Sequence, residues 1–240
     1  MAGREGTSNV SKDGRRATPD RLVLALDVDD LVEARRLAHE LRPWFGVAKV
    51  GLELFTAAGP EAVGALLEEG YQVFVDLKLH DIPTTVHKAA SVVGALGASY
   101  LTLHATAGGT MLRAGRDGLA AGAAKAGLPE PMALAVTVLS SDHTAPPHVL
   151  GNRVASAVKA ECGGIVCAAA DVREAKELAP RLATVVAGIR LDPHQTHDQA
   201  RWSTPGDALD AGADLLVVGR AVTQADDRAA AAEALVASAG

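Results

Sequence analysis

From residue 21 onward the chain alternates short apolar or β-branched runs with longer amphipathic, alanine-rich stretches. Short apolar runs bounded by turn signals read as strands buried on both faces, and the amphipathic stretches read as helices laid over a parallel sheet. Eight runs fit the strand pattern: 21–27, 47–51, 72–78, 100–104, 132–139, 164–167, 184–188 and 214–219. Helices are expected near 30–42, 58–70, 84–97, 108–127, 147–162, 171–180, 205–212 and 226–238. Eight strand–helix units in succession point to an α/β fold of the closed (β/α)8 TIM-barrel type rather than an open doubly wound sheet. Gly70, Gly97, Gly127, Gly163 and Gly212 fall where helices should end, as left-handed C-terminal caps require.

With 240 residues, 48% of them hydrophobic, the chain can bury one full barrel core. Residues 1–19 carry no apolar run and read as a disordered tail, which leaves 20–240 as the catalytic barrel domain. A net charge of -6 with dispersed basic residues gives no footprint for nucleic acid or an anionic membrane, so any anionic ligand must be met locally. No stretch is long and uncharged enough to span a bilayer, and Cys162 and Cys167 sit in or beside an apolar segment as reduced thiols would. A soluble, cytoplasmic protein is expected. No G-x-G-x-x-G follows the first strand, which disfavours a dinucleotide.

The densest chemistry lies in Asp76-Leu77-Lys78-Leu79-His80-Asp81-Ile82-Pro83, where an apolar strand closes with three charged groups of alternating sign. Side chains two apart on a strand share a face, so Asp76 and Lys78 point together while Leu77 and Leu79 point away. Asp27 and Lys49 close the first two strands, and in a barrel all these ends meet at one mouth. Phosphate is commonly held there by the loops after strands seven and eight, which carry Gly188-Ile189-Arg190 and Gly219-Arg220. Glycine lets backbone N–H groups approach an anion, and arginine supplies a bidentate charge. Between these loops, 191–203 is a polar segment suited to a mobile lid. His104 ends the fourth strand near the mouth, where a structural hydrogen-bonding role is expected.

These residues resemble the orotidine 5′-phosphate decarboxylase family in its bacterial form, from about residue 21 to the end. The resemblance rests on Leu24-Ala25-Leu26-Asp27, Lys49-Val50-Gly51, Asp76-x-Lys78-x-x-Asp81-Ile82-Pro83-x-Thr85, Ala135-Val136-Thr137-Val138-Leu139-Ser140-Ser141, Gly188-Ile189-Arg190, Gln199 and Val217-Val218-Gly219-Arg220-x-Val222-Thr223. It implies conversion of orotidine 5′-monophosphate to UMP and CO2 in de novo pyrimidine biosynthesis, with no cofactor and no metal. Lys78 would protonate C6, Asp76 would place it and sit near the departing carboxylate, and Lys49 and Asp27 would extend the charge array to the ribose. Asp81, Ile82 and Thr85 would reach into the neighbouring subunit's site of a homodimer. Ser140 and Gln199 would bind the pyrimidine and help close the lid, and Arg190, Gly219 and Arg220 would complete the phosphate site. Two departures stand out: Ala187 where relatives often carry proline, which loosens the entry to the lid, and Ser140 in place of threonine.

Two rival readings share the fold. A metal-dependent sugar-phosphate enzyme of the same superfamily would use Asp76 with a carboxylate from the second strand, but Lys49 stands at that strand end and opposes a divalent cation. A silent phosphate-binding barrel would have no use for four charges gathered at one mouth.

Overall fold

The computed structural model describes residues 18–139, 141–142, 144–146, 148–191 and 201–239. All eight expected strands form: β1 (Leu22–Leu26), β2 (Val47–Val50), β3 (Gln72–Leu79), β4 (Tyr100–His104), β5 (Met132–Val136), β6 (Gly164–Cys167), β7 (Ala183–Ala187) and β8 (Leu215–Val218). They pair parallel in chain order, and β8 closes on β1 through Leu216, Val217 and Val218 against Leu22, Val23 and Leu24. The α/β fold is thus a closed (β/α)8 barrel.

Period-two alternation divides the apolar residues between two layers. Val23 and Ala25 of β1 join Val47, Phe74, Leu134, Val185 and Val217 inside the lumen. Leu22, Leu24 and Leu26 face outward and pack with Leu37 and Leu41 in the shell beneath the helices. Each fully buried leucine contributes roughly 1.5–3 kcal/mol, so a one-residue slip of any strand would reverse both layers at once. The same parity carries Asp27, Lys49 and Asp76 to the mouth as the inward positions that follow Ala25, Val47 and Phe74.

The helices are α1 (Leu31–Leu41), α2 (Leu52–Ala58), α3 (Pro60–Glu68), α4 (Pro83–Ala95), α5 (Gly109–Ala126), α6 (His148–Lys159), α7 (Val172–Leu178), α8 (Pro205–Ala211), α9 (Arg220–Thr223) and α10 (Arg228–Ala237). Asp30 caps α1 by accepting from the Glu33 N–H at 2.7 Å, which is worth about 1 kcal/mol. The helix expected over 58–70 forms as α3, and an unexpected α2 precedes it; Gly59 turns the chain between them at φ 61° and Pro60 opens the first turn of α3. The last expected helix likewise follows a separate short one, α9.

Three further differences have local causes. The fifth strand stops at Val136 rather than 139, although the Thr137 N–H still donates to the Val166 carbonyl at 3.0 Å. Gly70, Gly97, Gly127 and Gly212 have the expected positive φ, but Gly163 does not; Glu161 takes the left-handed turn at φ 57° instead. Gly163 serves packing, since a Cβ there would meet Met132 Cγ at 2.5 Å. Of the tail assigned to 1–19, residues 1–17 lie outside the described residues, while Pro19–Arg21 forms a 3-10 turn beneath the barrel. The Gly46 N–H donates to the Pro19 carbonyl at 2.7 Å, and Arg21 donates to the Ala213 and Asp214 carbonyls, so this segment seals the face opposite the mouth.

One helix pair is packed unusually closely. A Cβ on Gly118 would lie 2.1 Å from the His87 carbonyl oxygen, and one on Gly122 would lie 1.9 Å from that of Ser91. Backbone therefore meets backbone where α5 crosses α4. That contact fixes α4, and with it the Asp81-Ile82 segment that leads into its first turn.

Candidate active site

The mouth holds a cavity of about 380 Å³, within the range of nucleotide-sized pockets, lined by residues from the C-terminal ends of the strands. Asp27, Lys49, Asp76 and Lys78 line it from the ends of β1 to β3, and Gly188, Arg190, Gly219 and Arg220 from the ends of β7 and β8, with Gly219 next to Asp27 where β8 meets β1.

The four charges form a chain of alternating sign. Lys49 Nζ donates to Asp27 Oδ1 at 3.0 Å and stands 3.6 Å from Asp76 Oδ2. Lys78 Nζ donates to Asp76 Oδ1 at 2.8 Å. Lys49 is 7% exposed, so its ammonium is held by the two carboxylates rather than snorkelling into water. Burial pushes the Asp76 carboxyl up, but the Lys49 and Lys78 charges outweigh it. With hydrogen bonds from Lys78 and Thr102, they hold Asp76 below its ordinary value.

Asp76 and Lys78 do share this mouth, but regular alternation does not bring them there. Val75 pairs with Leu101 and Leu79 with Leu103, so residues 76–78 of β3 stand opposite Thr102 alone. The strand bulges, and Lys78 takes a left-handed backbone at φ 49°. That conformation costs a non-glycine residue on the order of 1 kcal/mol. The Lys78 N–H donates to Thr102 Oγ1 at 2.9 Å, and the same hydroxyl donates to Asp76 Oδ1 at 2.9 Å.

Gly51 has a steric role beside this pair. A Cβ there would lie 2.9 Å from Lys49 Nζ and 3.0 Å from Asp27 Oδ1, so any larger residue would displace the ion pair. The pair Lys49-x-Gly51 was visible in the sequence; the steric reason for it was not.

Strand β7 leads into Gly188 at φ 84°, and Arg190 is 6% exposed. The Arg190 N–H donates to the Ser203 carbonyl at 3.0 Å and the Ser203 N–H to that of Gly188 at 3.1 Å, which pins the two ends of the intervening segment together. Arg201 pairs with Asp171 outside the cavity. Gly219 immediately precedes the short helix α9, whose first residue is Arg220. Gln199, Ser140 and most of the expected lid lie outside the described residues.

Asp81, Ile82 and Thr85 are exposed and do not line this cavity. Asp81 Oδ1 accepts from the Ile82 N–H at 2.6 Å, and Ile82 is 66% exposed beside the mouth. His104 stacks on His80 at 5.6 Å between ring centroids, and its Nδ1 accepts from the Thr106 N–H. Burial, together with the Arg153, His80 and Lys78 charges, lowers its pKa.

Comparison with known proteins gives a consistent result. The family model described as Orotidine 5'-phosphate decarboxylase / HUMPS family matches residues 20–235. Over 230 residues the chain is 41% identical to orotidine 5'-phosphate decarboxylase of Moorella thermoacetica, covering 91% of each. It is 42% identical over 229 residues to that of Anaeromyxobacter sp. strain K, covering 91% of this chain and 97% of the relative. Among solved structures, orotidine 5'-phosphate decarboxylase from Lactobacillus acidophilus superposes with a TM-score of 0.77 at 33% identity, over 90% of this chain and 97% of that one.

Proposed function

Since the chain belongs to the orotidine 5′-phosphate decarboxylase / HUMPS family, we propose that it is an orotidine 5′-phosphate decarboxylase of pyrimidine biosynthesis, releasing CO2 and UMP without a cofactor. The observation that carries the cofactor-free reading is the alternating array Asp27–Lys49–Asp76–Lys78 along one side of the cavity. Breaking the bond from C6 to the carboxylate leaves its electron pair on C6, where no conjugated sink receives it. The protein must then supply positive charge at that carbon, preorganised and shielded from water. Lys78 is the cation nearest the open cavity in this array, with its side chain 32% exposed against 9% for Lys49.

In this reading C6 faces Lys78 Nζ, CO2 departs, and a proton passes from Nζ to C6. The resulting amine regains its proton from water after product leaves. Asp76 keeps the ammonium in place, and Lys49 fixes Asp76 from the other oxygen. Asp27 and Lys49 reach the ribose hydroxyls, Ser140 and Gln199 the pyrimidine and the closing lid, and Arg190, Gly219 and Arg220 the 5′-phosphate. Binding energy from that remote phosphate lowers the barrier if it is realised fully only in the closed state.

We further propose a homodimer with shared sites, in which Asp81, Ile82 and Thr85 enter the partner's mouth. An apolar Ile82 left 66% exposed on a segment anchored by the α4–α5 contact favours this arrangement. A cytoplasmic location fits the pathway and the two free, buried thiols; none of the described helices is long and apolar enough to cross a membrane. The net charge of -6 speaks against nucleic acid as a partner.

A metal-dependent sugar-phosphate reaction is the alternative within the same family. Lys49 argues against it, because an ammonium, 3.6 Å from Asp76 Oδ2, stands at the end of the second strand where that reaction would need a carboxylate beside its divalent cation. The test is ultraviolet-monitored loss of orotidine 5′-monophosphate by protein dialysed against EDTA, with CO2 and UMP identified as products. Turnover without added metal supports the proposal. Silence there, with Mg2+-dependent turnover of a hexulose phosphate, overturns it.

A further inference from the structure

Thr102 is a polar residue on an otherwise apolar stretch of β4, fully buried and on the same strand face as Tyr100, which packs in the lumen. Its hydroxyl has one proton to give and lone pairs to receive, and both capacities are used on the same short piece of β3. It accepts from the Lys78 N–H and donates to Asp76 Oδ1, each at 2.9 Å.

The two bonds perform different tasks. The bulge at 76–78 removes Lys78 from the regular ladder, and the left-handed turn at Lys78 needs a partner for its N–H at that point. Thr102 Oγ1 is that partner. The bond to Asp76 Oδ1 fixes the rotation of the carboxylate, which leaves Oδ2 turned to Lys49 at 3.6 Å and Oδ1 shared with Lys78 Nζ at 2.8 Å. One hydroxyl therefore ties down the backbone from which Lys78 projects and the carboxylate that holds its ammonium.

We propose that Thr102 is a positioning residue of the reaction, aligning Lys78 and Asp76 through this double hydrogen bond without itself meeting substrate. The proposal rests on the decarboxylase reading above, deepening it by one residue.

The test is Thr102→Val, which keeps the shape and removes the hydroxyl, beside Thr102→Ser, which keeps the hydroxyl. Loss of a hydrogen bond to a charged group predicts a fall in kcat of about 10- to 10²-fold in the valine variant. KM should change by less than about threefold, because the proposed phosphate grip comes from the ends of β7 and β8. The second readout needs no substrate: carbon-13 NMR titration of the Asp76 carboxyl in the resting protein. The titratable groups around Asp76 are Lys49 on β2, with Asp27 on β1 behind it, Lys78 on β3, and His104 of β4 with His80 stacked on it beside Lys78. None of these is altered in the variant, so loss of the Thr102 bond should move the Asp76 midpoint upward. Thr102→Ser should restore both kcat and the midpoint.

A valine variant within twofold of wild-type kcat, or an unmoved Asp76 midpoint, overturns the proposal. So does a fall in kcat that serine fails to rescue, since that marks a packing effect. Should the valine variant not fold, Thr102→Ala carries the same two readouts. Absence of orotidine 5′-monophosphate turnover in the wild type would defeat the decarboxylase reading, and the titration would still decide whether Thr102 holds Asp76.

Discussion

Lys78 Nζ stands 2.8 Å from Asp76 Oδ1, although the strand between the two residues has bulged and Lys78 has left the extended conformation. The contact is built by a departure from regular β geometry, with Lys78 held in a conformation that costs a lysine on the order of 1 kcal/mol. A strained residue inside a cavity is expected where its side chain has a task to perform. If Lys78 is the proposed proton donor and cation at C6, Lys78→Ala should lower kcat by at least ~10³-fold. UMP binding, measured by calorimetry, should stay within about tenfold. Near-normal turnover would dismiss Lys78 as the acid.

Gly51 offers a gentler perturbation of the same array. The Cβ of Gly51→Ala would press on the mobile end of Lys49 at 2.9 Å and on Asp27 Oδ1 at 3.0 Å. Side-chain ends can yield, so the thermal midpoint should move by only a few degrees, corresponding to about 1 kcal/mol or less. Activity should fall by roughly 10-fold or more as Lys49 is displaced from between its carboxylates. A fully active variant would show that the Asp27–Lys49 spacing is not critical.

Asp76 has a pH signature with a definite sign. Its native pKa lies below the ordinary value of 3.8, burial being outweighed by the Lys49 and Lys78 charges and by two hydrogen bonds. A carboxyl depressed on folding stabilises the native state fully above its unfolded-state pKa, and that contribution disappears as pH falls through the native value. In urea unfolding from pH 6 downward, the stability difference between wild type and Asp76→Asn should shift against wild type as the pH drops below about 4. A difference independent of pH across that window would mean that Asp76 titrates alike in both states.

The eight strand–helix units were legible in the sequence because they depend on local pattern, and the identity of the mouth because its motifs resemble a known family. Asp27 and Lys49 were read at strand ends and Asp76-x-Lys78 as a pair on one face; the inward parity of Asp27, Lys49 and Asp76 came with the structure. The bulge was not legible, since Leu77 and Leu79 continue an ordinary apolar alternation and give no glycine or proline signal. Thr102 was missed for a related reason: its partners lie 24 and 26 residues earlier, and only the β3–β4 register brings them together. Helix α2 was hidden because seven residues are too few to establish a helical period.

Arg220 tests the proposed phosphate end of the cavity. It lines the cavity from the end of β8, so in the proposed reading its removal should weaken the grip on the phosphate while leaving Lys78, the proposed donor, in place. Arg220→Ala should raise KM and lower kcat/KM by about 10²-fold, as loss of a charged anchor worth ~3 kcal/mol would. Added phosphate dianion should restore part of that loss if the cavity end is an anion site. A variant with unchanged kcat/KM would place the phosphate elsewhere.

The shared-site proposal makes a prediction that no single variant can imitate. Asp81 is exposed and does not line its own subunit's cavity, whereas Lys78 does. If Asp81 serves the neighbouring mouth, Asp81→Ala and Lys78→Ala each inactivate both sites of a homodimer, but through different chains. In a hybrid dimer one mouth combines both defects and the other combines the intact Lys78 of one chain with the intact Asp81 of the other. Random exchange of an equal mixture under two-fold symmetry should then restore about a quarter of wild-type sites. The measurement is turnover before and after mild dissociation and reassociation of the mixed variants, with each variant treated alone as control. Recovery confined to the mixture would establish the exchange of Asp81 between subunits. No recovery, with hybrid dimers demonstrated by mass spectrometry, would show that each chain completes its own site.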